Sequence, residues 1–247
     1  MDPVAAQGFS ATADSYQRAR PSWPPDAVDA AFAHWGLDPA TAHLVDVAAG
    51  TGRLTRLLAE RSPNVIAVEP LSEMRAHISA VPAIEGTAEK LPLEDGSADA
   101  VFVAEAFHWF DQPAALTEFA RVLKPRGGLA LLWNEHVEAP DEESLAEAFG
   151  GMFGPGGQFQ PPDKSGWDEG PQWAPFEPIV KREFEHSQHL TRDGLLKLVA
   201  SFSFVGALEP EARREVLTRV EQALVEQGVE EYEQRWRCEL CLTRLHC

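Results

Sequence analysis

The stretch from Val45 to Leu58, VDVAAGTGRLTRLL, constrains this chain more than any other. A short apolar run (Leu44, Val45, Val47, Ala48) reads as a buried strand. The chain passes through Ala49-Gly50-Thr51-Gly52 and continues as an amphipathic helix, with Leu54, Leu57 and Leu58 on one face. Strand, glycine turn and helix in that order is how a parallel α/β sheet presents an adenine-nucleoside ligand. Gly50 and Gly52 permit a tight turn and let a ligand approach bare backbone. The first amides of the helix favour negative charge there. Any strand-to-helix corner can use such a turn, so the signal gains weight only if the next strand ends in an acid that can hold a ribose.

That acid is present. Val65-Ile66-Ala67-Val68 is a second buried strand, ended by Glu69-Pro70. Glu69 stands at about the spacing at which an acidic residue accepts hydrogen bonds from ribose hydroxyls. It could instead cap a helix starting near Ser72, but strand, turn, helix, strand and acid agree on the ribose role. Further strands are read at Ala83–Glu85, Ala100–Ala104, Leu129–Trp133, Ile179–Phe184 and 232–244. Helices are read at about Asp26–Trp35, 71–79, 113–123, 191–201 and 209–227, with Lys124–Gly128 a helix stop and turn. Strands and helices alternate through residues 44–134, which predicts a parallel sheet with helices on both faces. In such sheets ligands bind beyond the carboxyl ends of the strands. Those ends carry Asp46 to Gly52, Glu69, Glu105 to Trp109, and Asn134-Glu135-His136.

Two segments stand outside this alternation. Residues 7–20 form an amphipathic arm or helix, stopped by Pro21-Ser22-Trp23-Pro24-Pro25. The arm, with Tyr16, either packs onto the domain or covers the ligand. Residues 137–175 are rich in glycine and proline, yet Met152, Phe153, Phe159, Trp167 and Trp173 argue against plain disorder, and a substrate lid is the reading taken. The organisation expected is therefore an N-terminal helical arm over 1–40 and one domain over 41–247, with 137–175 a lid-like insertion.

Charge narrows the partners. The formal net charge of −18 repels phosphate backbones and anionic membrane surfaces, which leaves a small molecule as the expected partner. No apolar run is long enough to span a bilayer, and the first residues lack a basic segment followed by an apolar core, so a cytoplasmic location is expected. The three cysteines, Cys238, Cys241 and Cys247, include a C-x-x-C spacing with His246 nearby. The segment reads as a strand, in which positions three apart face opposite sides, and no second ligand pair appears. No metal is expected.

With VDVAAGTGRLT (45–55), VIAVEP (65–70), GTAEKLPLEDGSADAVFVAEAFHWFD (86–111) and RVLKPRGGLALLW (121–133) in that order, the chain resembles the class I S-adenosylmethionine-dependent methyltransferases. Within them it is similar to the small-molecule group of ubiquinone-biosynthesis and trans-aconitate methyltransferases. The resemblance implies a Rossmann-like, seven-stranded, mostly parallel sheet with helices on both faces and an antiparallel last strand, and S-adenosyl-L-methionine as cofactor. It implies that Asp46 and the Gly50–Gly52 turn hold the methionine portion and that Glu69 holds the ribose. Ala48 replaces the first glycine of the family pattern. Thr87, Ala88 and Glu89 are expected around the adenine, with Thr87 where the family often has an acid. Glu105 and Tyr16 complete the expected cofactor contacts. His108 and Trp109 should line the floor where methyl meets acceptor, with His108 or His136 a base for an acceptor that must lose a proton. An aromatic face there also suits a sulfonium.

Three other readings compete. A nicotinamide-dependent dehydrogenase usually wants G-x-G-x-x-G, and position 55 is Thr55. A cofactor-binding protein without turnover would be consistent with the departures at Ala48 and Thr87. RNA methylation is disfavoured by the acidity and by the lack of a basic stripe interleaved with aromatics. The oligomeric state is open.

Overall fold

The computed structural model describes residues 20–137, 168, 170–206 and 208–246. It forms two compact units, one of Ser22–Glu135, Lys164–Glu185 and Arg237–Cys247, the other of Met1–Pro21, His136–Asp163 and His186–Trp236. The elements in chain order are α1 (Pro25–Trp35), β1 (Leu44–Val47), α2 (Arg53–Ala59), β2 (Val65–Val68), α3 (Ser72–Arg75), β3 (Ala83–Ile84) and β4 (Ala98–Ala104). A 3-10 turn over Phe107–Trp109 follows, then α4 (Gln112–Val122), β5 (Leu123–His136) and, after a 3-10 turn at Pro171–Trp173, β6 (Val180–Thr191). The chain ends with α5 (Arg192–Ala200), α6 (Ser203–Gly206), α7 (Pro210–Glu226) and β7 (Glu231–Arg244).

The seven strands form one sheet in the order β3-β2-β1-β4-β5-β7-β6. β1 lies between β2 and β4 and is parallel to both, with Leu44 opposite Val65 on one side and Ala100 on the other. β3 and β5 extend the parallel part. β7 is antiparallel to β5: Leu245 N–H donates to Gly127 O and Val137 N–H to Arg235 O, so one strand ascends as the other descends. The sheet is thus the Rossmann-like, mostly parallel one expected, and strand order reverses beside β1, where such sheets place their ligand crevice.

Alternation along the strands builds two cores in the larger unit. Leu44, Ala100, Phe102, Ala130, Leu132, Cys238 and Leu240 point to one face, where α1 and α2 cover them. Val45, Val47, Val101, Val103, Leu129, Leu131 and Cys241 point to the other, under α4. Cys238 and Cys241 are both buried, one in each core, so the C-x-x-C pair is split by the strand's two-residue period. Burial pushes the Cys238 thiol up to about 12 and raises that of Cys241 further, as expected of inert packed thiols. Among the described residues, no group of three metal-ligating side chains occurs, and no helix is long and apolar enough to cross a membrane.

The smaller unit has its own core. Leu190, Leu195, Leu198, Val199, Val205, Val220, Leu224 and Trp236 join the inner faces of α5, α6 and α7 to the ends of β6 and β7. Thr191 caps α5, its Oγ1 accepting from Gly194 N–H at 3.2 Å. Arg20 donates to Ser201 O at 3.3 Å and stacks on the Phe202 ring, which ties the chain before Pro21 to the end of α5.

Three local differences from the sequence reading have physical causes. The helix expected over 71–79 stops at Arg75, and the turn after it brings Ile78 under Gly52, where a β-carbon would lie 2.9 Å from Ile78 Cγ1. The Lys124–Gly128 turn sits inside β5: Ala98 faces Leu123 but Ala100 faces Gly128, and Arg126 takes φ +63°. The surplus residues make a bulge rather than a break. Trp173, expected within the lid, is buried in the α4-side core against Phe107 and Phe176. Met152, Phe153, Phe159 and Trp167 lie outside the described residues.

α1 is held to the sheet by Trp35. Its ring meets Phe102 edge-on with centroids 5.8 Å apart, and its Nε1 donates to Thr243 O at 3.0 Å. The ring lies flat on the backbone of Gly128, where a β-carbon would come 2.2 Å from Trp35 Cε2. Gly128→Ala therefore displaces the indole and costs about 2 kcal/mol of stability, the scale of core overpacking. Urea unfolding checks this; an unchanged midpoint contradicts it.

Candidate active site

Two loops meet at the carboxyl edge beside β1. The first runs from Val47 to Arg53 and makes the turn with left-handed backbone at Ala48 (φ +54°), Gly50 (φ +57°) and Gly52 (φ +77°). Gly52 is the residue before α2 and must be glycine on two counts, its positive φ and the Ile78 side chain against it. At Gly50 a β-carbon would meet nothing within 4 Å, so the bare backbone faces open space. Ala48 carries a methyl in a conformation that disfavours one by about 1–2 kcal/mol. Glu105, at the end of β4, is also left-handed, at φ +55°. Two strained non-glycine residues at neighbouring strand ends are the pattern that functional edges show.

The second loop starts at Glu69, at the end of β2. Glu69 is buried, 3% exposed, and its carboxylate holds both loops. Oε2 accepts from Gly50 N–H at 2.8 Å and Oε1 from Leu71 N–H at 2.9 Å. Arg75 lies behind it, donating to Glu69 O at 2.6 Å and to Pro70 O at 3.2 Å. Burial raises the Glu69 pKa, and the two amides and Arg75 oppose that rise. Each carboxylate oxygen has a second lone pair beyond the amide bond it accepts, which is the acceptor capacity that a pair of vicinal hydroxyls needs.

Asp46 is the other acid of this edge. It lies on the α2 side of β1, 1% exposed, and Thr55 Oγ1 donates to its Oδ2 at 2.5 Å. Burial pushes its pKa up to about 7; the Thr55 hydroxyl opposes the shift and the Glu69 charge adds to it. Asp46 thus fastens the strand to the helix beneath the turn. Thr55 was missed as a partner in the sequence. The signal for it was there: an acid in an apolar strand needs a donor, and the facing helix offers Thr55.

The remaining predicted residues spread along the same edge. Glu105 Oε1 accepts from Asn134 N–H at 2.6 Å, joining the ends of β4 and β5. Thr87 is exposed and forms a one-residue bridge with Lys90. Ala88 is buried in the core, so its side chain serves packing. Glu89 accepts from Asp111 N–H at 3.1 Å, and Asp111 in turn caps α4 through Ala114 N–H. His108 and Trp109 are half-buried in the turn after β4, with ring centroids 4.7 Å apart. Phe107, beside them, is buried core. His136 closes β5, but its side chain, like all of Tyr16, lies outside the described residues.

Fold and edge together have relatives. A family model described as a methyltransferase domain matches residues 45–131. An uncharacterised methyltransferase of Mycobacterium tuberculosis is 38% identical over 220 residues, which cover 87% of this chain and 85% of that one. A methyltransferase-like protein of Schizosaccharomyces pombe is 31% identical over 233 residues, covering 90% and 87%. Among solved structures, one from Anaeromyxobacter dehalogenans, provisionally assigned as a type II methyltransferase, superposes with a TM-score of 0.68 at 21% identity, covering 92% of this chain and 97% of that one. The chain belongs to the methyltransferase family, in the class I enzymes that depend on S-adenosylmethionine. S-adenosyl-L-methionine is its cofactor.

The buried acid gives a pH test. Below about pH 4 Asp46 is protonated in both the folded and the unfolded chain. Between there and its raised value near 7 the unfolded chain ionises while the folded one keeps the proton, so this group's contribution to stability falls as pH rises. Asp46→Asn removes the titration. The unfolding free energy of the native chain minus that of the variant should fall between about pH 4 and pH 7 and level off above; a difference independent of pH contradicts the raised value.

Proposed function

We propose that this chain transfers the cofactor's methyl group to a small-molecule acceptor, with the Glu69 carboxylate holding the ribose and the Gly50–Gly52 turn holding the methionine portion. The observation that carries the cofactor placement is the Glu69 bridge between Gly50 and Leu71. It puts an acid with acceptor capacity beside open backbone, at the edge where strand order reverses. The net charge of −18 supports a small acceptor over nucleic acid.

The cofactor supplies the electrophilic methyl group when bound. The protein's part is position and a dry site. Holding the acceptor in line with the transferring group provides most of the acceleration. His108, half-buried against Trp109, takes the proton from an acceptor that must lose one. A carboxylate acceptor needs no such base. Glu105 positions the edge by fixing the end of β5. In this reading Thr87 and Glu89 contact the adenine from their loop, and the Ala88 contribution is through its backbone.

Calorimetric titration with S-adenosylhomocysteine, with NAD alongside, tests the reading. Binding of the first at micromolar affinity and none of the second is expected; the reverse sinks it. Glu69→Ala should weaken S-adenosylhomocysteine at least tenfold, about 1.4 kcal/mol or more, in a variant whose circular dichroism matches the native chain. Unchanged affinity removes Glu69 from the ribose.

A further inference from the structure

Between Gly86 and Gly96, inside the larger unit, the contacts of the chain step along α4 in order. Glu89 Oε1 accepts from Asp111 N–H, just before the helix. Leu91 N–H donates to Glu118 Oε1 at 2.7 Å, and Gly96 N–H donates to Arg121 O at 2.9 Å near the helix end. The Arg121 guanidinium ties this segment together. Its Nε donates to Glu118 Oε2 at 2.8 Å. Nη1 donates to Leu93 O at 2.9 Å and to Asp95 Oδ1 at 2.6 Å, and Nη2 to Leu91 O at 3.1 Å and to Glu118 Oε1 at 2.6 Å. Every N–H donor that a guanidinium carries therefore has an acceptor.

This fork reaches past the ion pair itself. Glu118 and Arg121 are half-buried, and between them they hold both backbone polar groups of Leu91. Their hydrogen bond lowers the Glu118 pKa and raises that of Arg121, so both stay charged at neutral pH. Leu91 and Ala88 are buried in the α4-side core. Pro92 presses on Gly86, where a β-carbon would lie 2.6 Å from Pro92 Cδ and 2.8 Å from Val68 Cγ1. Val68 ends β2 and directly precedes Glu69. The fork thus fixes the downstream end of the Thr87–Lys90 turn through Leu91, and its upstream end through Pro92 and Gly86.

The turn between these anchors is closed by Thr87 N–H donating to Lys90 O at 3.4 Å and Lys90 N–H to Thr87 O at 3.1 Å. Those bonds use neither the Ala88 nor the Glu89 amide, and no acceptor among the described residues meets either one. Amide donors suit the ring-nitrogen acceptor on the edge of adenine. They do not suit hypoxanthine, which carries an N–H at the same place. A displacement of about 1 Å is enough to lose such a hydrogen bond, so discrimination between the two bases needs a turn that is held still.

We propose that the Glu118–Arg121 pair is a positioning element that sets the base selectivity of the cofactor site, by holding the Thr87–Lys90 turn in place beside Glu69. The proposal rests on the adenine placement given above and adds to it two residues that do not touch the ligand. Neither changes the chemistry of the turn. They act by fixing where its amides stand.

The test is calorimetric titration of the full chain with S-adenosylhomocysteine and with S-inosylhomocysteine, which differ only at the edge of the base. The native chain should prefer the first by about tenfold or more. Arg121→Met removes every donor of the fork and keeps an apolar stem; its preference should fall to about twofold or less, mainly through weaker S-adenosylhomocysteine. Glu118→Gln keeps an oxygen for Leu91 N–H, should cut the preference by about threefold, and decides the matter if Arg121→Met fails to fold. A merely structural role lowers the urea midpoint and weakens both ligands by one factor. An unchanged preference in a folded variant therefore overturns the proposal and leaves the adenine placement standing. Equal affinities in the native chain overturn the placement and the proposal together. Binding of neither ligand to the native chain sinks the methyl-transfer reading and both with it.

Discussion

The carboxylate of Glu69 accepts from two backbone amides that belong to different loops, and the candidate site depends on that bridge. Gly50 N–H and Leu71 N–H are 21 residues apart in the chain and are brought to one group. Charge-assisted bonds of this kind contribute about 1.5–3 kcal/mol each. The bridge sets the height of the glycine turn over the end of β2, and Arg75 braces the same loop from behind through the Glu69 and Pro70 carbonyls. The turn has its own bonds as well, Gly52 N–H donating to Ala49 O at 2.9 Å and Ala49 N–H to Val68 O at 3.1 Å. Ile78 under Gly52 and the Glu69 carboxylate on Gly50 add to that support from outside the turn.

The same edge carries a cost that the fold offsets elsewhere. Asp46 and Glu69 are both buried acids; burial raises the pKa of each, and the Glu69 charge raises that of Asp46 further. Ala48 and Glu105 hold strained backbone at adjacent strand ends. The two hydrocarbon layers of the larger unit supply the stability that tolerates this, with Phe102 and Phe119 fully buried on opposite faces of the sheet. Strain and buried charge concentrate at the carboxyl edge beside β1, while the layers under α1 and α4 follow ordinary packing.

Much of this was readable from residues alone, for reasons that can be named. LVDV, AVFV and LALLW are near-continuous apolar runs, which mark strands buried on both faces, and the two-residue period of any strand is set by its pleat, so strands are local information. It also predicted that Cys238 and Cys241 would part company, as they do. Glu69 was visible because the length of a helix crossover fixes where the next strand ends. What escaped depends on contacts between distant segments. Trp35 lying on Gly128 and Thr55 reaching Asp46 join groups whose pairing no periodicity encodes. The separate core of α5, α6 and α7 escaped as well, because a helix with an apolar stripe does not say which surface it covers.

The most direct measurement is amide hydrogen exchange at Gly50 and Leu71, with and without S-adenosylhomocysteine. If Glu69 is the shared acceptor of both amides and of the ribose, the two amides are protected in the free chain, and both slow further, in step, when the ligand is added. Exchange at Gly50 and Leu71 that ignores the ligand, or that responds at one amide and not the other, contradicts the account.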